Sequence, residues 1–362
     1  MASIVDRITA SLEPHVIRAV FGLPAPARRA LAGKPVRIDG QRLDPDVQLL
    51  LRLSEMQGIA LTAETPELAR AGLEHGAALA GGRPTGAMDT RELRIPDPAG
   101  PIPARLYTPA GLPAGSPLVV FYHGGGWVIG SIASHDSTCR FLATEGGVRV
   151  LSVDYRLAPE HTFPAAADDA VAAFRYAIAH ADDLGADPAA IAVSGDSAGG
   201  NLAAAVCHVT AHERTARPVF ALLFYPAVDA SVRRKSREVY GEGFFLTDKD
   251  MDWFRDHYAP DERDHTDPRF SVLLSEHLAD FPPAYLTVGG FDPLVDEVEA
   301  FGAALAAAGV PVVVRKHADL IHGFAGFLGV APRAREAMAD AVGALRTGLA
   351  MAARSEARRA TG

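Results

Sequence analysis

The sequence predicts an α/β fold: a mostly parallel, eight-stranded sheet flanked by helices, with a helical cap. Three observations carry that expectation. Short apolar runs rich in β-branched residues alternate with helix-forming stretches from about residue 85 onward. Several runs, such as Leu118–Tyr122 and Val148–Val153, are apolar almost without interruption, which suits a parallel sheet covered on both faces. Residues 1 to about 85 read instead as helical with Pro and Gly punctuation, and the style changes near Gly82-Arg83-Pro84.

Eight strands are expected, at Arg91–Ile95, Ile102–Tyr107, Leu118–Tyr122, Val148–Val153, Ile191–Val193, Phe220–Phe224, Ala284–Val288 and Val310–Lys316. Helices are expected at about 165–180, 198–211, 294–308 and 332–350. From Asp229 to about Asp261 a polar and aromatic stretch interrupts the alternation, and its place after a strand suits a lid over the carboxyl ends of the sheet. The expected organisation is a helical segment over residues 1–50, then 51–228 as the first part of the core. A cap insertion follows at 229–261, then the second part of the core at 262–350 and a frayed tail at 351–362.

Composition narrows the function classes. A formal net charge of −9, from 35 basic and 44 acidic residues, argues against generic nucleic-acid binding. Cys139 and Cys207 are the only cysteines, so a disulfide scaffold or structural zinc site is not expected, and a reducing compartment fits. Asp6, Arg7 and Glu13 break the pattern of a signal peptide, and no run of some eighteen apolar residues predicts a membrane span. The expected location is the cytoplasm. No cofactor or metal is expected: His208 and His212 are spaced one helical turn apart, but Val209 stands where a zincin has glutamate, and a solvated helix face is the expectation.

The chemistry gathers around Gly195-Asp196-Ser197-Ala198-Gly199-Gly200. A β-branched run precedes it and a small-residue helix follows, so Ser197 is expected on a sharp strand-to-helix turn, exposed at a helix N-terminus. A serine hydroxyl is a weak nucleophile at neutral pH and needs a base, an orienting acid and an oxyanion hole. Asp292, just past a strand and followed by Pro293, is the candidate acid, with Asp296 and Glu297 as rivals in the first helical turn. His322, in the loop after the last strand, is the candidate base; His317 and His123 are competitors. The glycines of His123-Gly124-Gly125-Gly126-Trp127, at a strand end, are the candidate oxyanion loop. The expected donors are Gly125 and Gly126 with Ala198, Gly124 serving mainly the turn. Trp127, Phe244, Phe245 and Phe324 are expected to line an apolar substrate pocket.

Together, these motifs with Asp292-Pro293-Leu294, His322-Gly323-Phe324, Asp154–Glu160 and Phe163–Ala166 resemble the bacterial hormone-sensitive-lipase-like (family IV) carboxylesterases of the α/β-hydrolase superfamily, in their GDSAG branch. The resemblance spans roughly residues 85–350. It implies Ser197 as nucleophile, His322 as base, Asp292 as acid, and a helical cap made of residues 1–50 and the 229–261 insertion. It also implies a serine carboxylesterase acting on a small-molecule ester, and the apolar slot expected at Trp127, Phe244, Phe245 and Phe324 suggests short- to medium-chain acyl or aryl esters. The triad alone does not separate ester from amide. A receptor on the same fold is the non-catalytic alternative, and the plant gibberellin receptor lacks the triad histidine that stands here as His322. The C-terminal helix and final strand are the surface expected for a homodimer. One departure is Val272, where the family usually has proline.

Overall fold

The computed structural model describes residues 14–82 and 86–361. The first thirteen residues of the segment assigned to the cap, Asp6, Arg7 and Glu13 included, lie outside the described residues. So do positions 83–85, where the sequence changes style.

The N-terminal part holds helices α1 (Pro14–Phe21) and α2 (Ala25–Ala32), a small hairpin β1 (Arg37–Ile38) and β2 (Gln41–Arg42), then α3 (Pro45–Met56) and α4 (Pro66–Ala80). The starts of α3 and α4 are written locally. Asp44 accepts from the N–H groups of Asp46 and Val47, Thr65 accepts from Leu68, and each helix has proline at its first position.

The sheet follows as β3 (Met88–Ile95), β4 (Ile102–Pro109), β5 (Ser116–Tyr122), β6 (Arg149–Val153), β7 (Ala186–Asp196), β8 (Ala221–Phe224), β9 (Ala284–Phe291) and β10 (Val312–Ile321). Its spatial order is β10-β9-β8-β7-β5-β6-β4-β3, parallel from β10 to β6, with β4 antiparallel to both of its neighbours. All eight expected strands fall on these eight. β5 through β9 are apolar and buried almost throughout, as strands covered on both faces must be.

Helices α5 (Asp136–Gly146), α6 (Ala165–Ala179), α7 (Ala198–Glu213), α8 (Lys235–Tyr240), α9 (Asp248–Tyr258), α10 (Val295–Ala307) and α11 (Pro332–Thr361) complete the chain. The chain leaves β5 for β6 on one side, then returns across β5 to β7 on the other. This reversal opens a crevice at the carboxyl ends of β5 and β7, the place where open α/β sheets bind ligands.

Three expectations need correction. The tail does not fray from residue 351: α11 runs to Thr361, because Ala, Arg and Glu continue there with no glycine or proline to stop it. The α5 helix was not foreseen, since its Asp-Ser-Thr-Cys start and Gly end give weak helical signals. The helices beside the crevice extend to Ala80, thirty residues past the boundary placed at 50.

Candidate active site

Strand register brings the candidate residues together. Tyr122 at the end of β5 pairs with Gly195 near the end of β7, so the His123–Gly126 loop emerges beside Asp196 and Ser197. Ile321 of β10 pairs with Phe291 of β9, so the next residue on each strand, His322 and Asp292, emerge side by side. A bulge precedes that pair, with four steps on β10 matching two on β9. Gly289 and Gly290 accommodate it: a Cβ on either would stand 2.7 Å from backbone atoms of Leu320 or Ala318.

Ser197 occupies the turn between β7 and α7 at φ 56° and ψ −117°, a conformation L-residues seldom adopt. The turn is held because strand and helix nearly touch. A Cβ on Gly195 would lie 2.6 Å from the Tyr122 carbonyl oxygen, and one on Gly199 would collide with the same carbonyl. The Ser197 N–H donates to the Phe224 carbonyl at 2.9 Å, and the Ala227 N–H to the Ser197 carbonyl at 3.2 Å, fixing the turn from the β8 side.

His322 Nε2 lies 2.9 Å from Ser197 Oγ across 125 residues of sequence. Its Nδ1 lies 2.9 Å and 3.1 Å from the two carboxylate oxygens of Asp292. Asp292 is wholly buried and His322 only 4% exposed, so the pair is shielded from water. Asp292 Oδ1 also accepts the Leu294 N–H at 2.8 Å, which fixes the carboxylate against the start of the next helix. The rival groups are committed elsewhere. Asp296 accepts from the Ser236 N–H, and Glu297 from the Val228 N–H. His317 accepts from Arg333, and burial with that neighbouring charge pushes it down to about 4.

The glycine loop resolves into two parts. The Gly124 N–H donates to Asp196 Oδ1 at 2.9 Å, so Gly124, a member of the expected oxyanion loop, has no free N–H to offer and serves the turn. The N–H groups of Gly125, Gly126 and Ala198 have no protein acceptor among the described residues. Gly125 sits at φ 119°, and a Cβ there would lie 2.7 Å from the Ile129 carbonyl carbon. His123 braces the loop from behind. It is fully buried, stacks on Tyr155 at 4.3 Å, bonds the Gly124 carbonyl through Nδ1, and is pushed down to about 3 by burial and the field of His135.

His135 is a residue that sequence reasoning missed. Its Nε2 stands 3.3 Å from the Asp196 carboxylate, and its Nδ1 bonds Ser134 Oγ at 2.8 Å. Burial alone would raise the Asp196 pKa; His135, His123 and the Gly124 N–H outweigh it and hold the group below its ordinary value. An isolated histidine in a polar stretch gives no signal of this partnership.

Ser197, His322 and Gly124–Trp127 open into a cavity of about 230 Å³. Its other walls come from α3, α4, α9 and the loop at Phe245-Leu246, and they are mainly aliphatic and aromatic. Of the four expected pocket residues, Trp127 and Phe245 line it. Phe245 is turned by its positive φ of 74° against Phe327 and Gly323. Phe244 and Phe324 do not line it. Phe244 packs away on Tyr240 and Phe291, and Phe324 lies behind, edge-on to Tyr225. Phe254 takes a pocket position that was not singled out, its ring filling the space where Gly126 has no side chain.

No group of three or more His, Cys, Asp or Glu is placed to hold a metal among the described residues. His208 is half-buried and bonded to Ser275 rather than solvated, whereas His212 on the same face is exposed as expected. Among the described residues no helix is long and apolar enough to cross a membrane.

Comparison with known proteins agrees with this fold. Residues 119–326 match a family of α/β-hydrolase fold. The chain is 45% identical over 317 residues to the carboxylic ester hydrolase LipN of Mycobacterium tuberculosis, covering 85% of this chain and 84% of that one. It is 36% identical to an ethyl acetate hydrolase of Pseudomonas putida, over 84% of this chain and 98% of the relative. Among solved structures, an ester hydrolase from the metagenome of Lake Arreo, in complex with a bipyridine phosphonate derivative, superposes with a TM-score of 0.81. It is 37% identical over 84% of this chain and 98% of that one.

Proposed function

The chain belongs to the hormone-sensitive-lipase-like α/β hydrolases and is a carboxylic ester hydrolase; from that premise we propose that it cleaves short- to medium-chain acyl or aryl esters through Ser197, His322 and Asp292. The observation that carries the reading is the unbroken relay of hydrogen bonds from Ser197 Oγ through His322 to buried Asp292, opening into an apolar cavity.

Acyl transfer then runs in two steps. Ser197 Oγ attacks the ester carbonyl as His322 Nε2 takes its proton, and Asp292 holds the imidazole in the required tautomer and stabilises the imidazolium. The oxyanion forms against the N–H groups of Gly125, Gly126 and Ala198, which are free to receive it, at the positive end of α7. His322 returns its proton to the leaving alcohol, and water attacks the acyl-enzyme by the same route. The α1–α4 segment and residues 229–261 act as the cap, supplying apolar walls that exclude bulk water. The buried free thiols Cys139 and Cys207 fit work in the cytoplasm.

The test is hydrolysis of p-nitrophenyl esters from acetate to palmitate by the wild type and Ser197→Ala. Turnover of the shorter esters, abolished in the variant, is the expected result. Residual turnover in Ser197→Ala above about one part in a thousand would remove Ser197 from the mechanism.

A further inference from the structure

The oxyanion loop holds a backbone conformation that must be imposed on it. Gly125, Gly126 and Trp127 stand in succession at φ 119°, 57° and 62°, and the last of them is not a glycine. Such a run persists where its surroundings hold it from several sides. On the inner side the Gly124 N–H is fixed on Asp196. Beyond Trp127 the turn is closed by the Val128 and Ile129 N–H groups, which donate to the Gly125 carbonyl at 3.1 Å and 2.9 Å. The Trp127 carbonyl accepts from the Ala158 N–H at 2.9 Å.

The next carbonyl along, that of buried Val128, is taken by a side chain from the N-terminal segment. Arg70 of α4 donates to it through Nε at 2.8 Å, and to the carbonyl of buried Ala158 through a terminal nitrogen at 2.9 Å. Its two terminal nitrogens also reach the carboxylate oxygens of Glu160, each at 2.7 Å. The guanidinium thus bridges the two segments joined by the Trp127–Ala158 bond, a task suited to a planar fork with fixed donor directions. Four residues on, along the same face of α4, Glu74 accepts from Ser131 Oγ at 2.7 Å and ties down the chain just past the loop. The Glu160 side chain is 48% exposed, so the ion pair by itself contributes little and the weight falls on the two carbonyl bonds. We propose that Arg70 is a positioning residue for catalysis. From α4 it clasps the outer side of the oxyanion loop and keeps the Gly125 and Gly126 N–H groups aimed at the developing oxyanion. The inference rests on the ester-hydrolase reading for its chemistry, whereas the clasp itself can be tested without turnover.

Arg70 does not line the cavity, so its loss is expected in kcat and not in KM. Arg70→Met keeps the length and helix preference of the side chain and removes every donor. With p-nitrophenyl butyrate, kcat falls about fivefold or more while KM stays within about twofold. In hydrogen exchange on the full chain, the Val128 and Ile129 amides open about fivefold faster or more, while those of β9 keep their wild-type rates. Glu160→Gln, which leaves the carbonyl bonds in place, keeps kcat within about twofold. If Arg70→Met does not fold, Arg70→Lys takes its place with the same expectation, since a single nitrogen cannot reproduce the fork. A smaller fall in kcat, a loss confined to KM, or an equal loss in Glu160→Gln overturns the proposal. If the wild type hydrolyses no ester, the catalytic reading fails separately and amide exchange decides the clasp. Faster opening at Val128 and Ile129 in the variant then supports it, and equal rates overturn it.

Discussion

Replacing Asp292 by asparagine isolates what the buried carboxylate contributes. Asparagine has the same shape, and its carbonyl oxygen can keep the 2.8 Å bond from the Leu294 N–H, so the local backbone is held. What changes is the imidazole. In the wild type both carboxylate oxygens lie within 3.1 Å of His322 Nδ1, which obliges that nitrogen to donate and leaves Nε2 free to accept from Ser197. An asparagine NH2 turned toward Nδ1 asks it to accept instead, placing the proton on Nε2 and pointing it at the hydroxyl it must deprotonate. The imidazolium formed during attack also loses its counter-charge in a site where His322 is 4% exposed and Asp292 wholly buried. Wrong tautomer and missing charge together lower kcat roughly ten-thousand-fold, about 5 kcal/mol in the barrier. The assay is kcat for p-nitrophenyl butyrate, with thermal melts to certify folding. Asp296→Asn, whose carboxylate serves the Ser236 N–H, is the comparison for a neighbouring acid with a structural task. A loss below about tenfold in Asp292→Asn, in a variant that melts like wild type, refutes the tautomer argument.

Two other perturbations test different parts of the molecule. Gly125→Ala forces a Cβ against the Ile129 carbonyl at a backbone angle of φ 119°, so the loop must shift its donors; kcat falls about a hundredfold or more, and a loss under about fivefold would separate Gly125 from oxyanion binding. Glu297 is pushed up to about 8, first by burial and then by the field of Asp229, against an ordinary 4.5. The folded chain therefore keeps a proton that the unfolded chain releases, and stability falls as pH rises from about 4.5 to about 8, with nothing lost below that window where both states are protonated. Glu297→Gln keeps an acceptor for the Val228 N–H and flattens that slope in urea titrations at about pH 5 and about pH 8; an unaltered slope shows that Glu297 does not titrate there.

The parts legible in the sequence are those whose signal is local. Several sheet strands are near-continuous apolar runs, and Ser197, Asp292 and His322 each stand just past an expected strand, so they could be named without knowing which strands pair. The cavity walls were not legible in the same way, because they depend on how distant segments face one another. Phe244 and Phe245 are neighbours with the same side chain, and a single positive φ sends one to the cavity and leaves the other in the core. That the Gly124 N–H is taken up by Asp196, seventy-two residues on, could not be read from the loop itself. His135 gains its importance only through that same carboxylate.

The N-terminal segment has partners drawn from across the chain. Gln41 donates to the Gly290 carbonyl and to Tyr240, the Asp44 N–H to the Asp319 carbonyl, Thr62 to Asp250, and the Gly329 N–H to the Ala80 carbonyl. During synthesis those first eighty residues leave the ribosome long before residues 240–330 exist to receive them. Leu43 and, on α3, Val47 and Leu49 are buried in the finished molecule. The partners that hold this segment are thus made after it, which lengthens the time it spends without them.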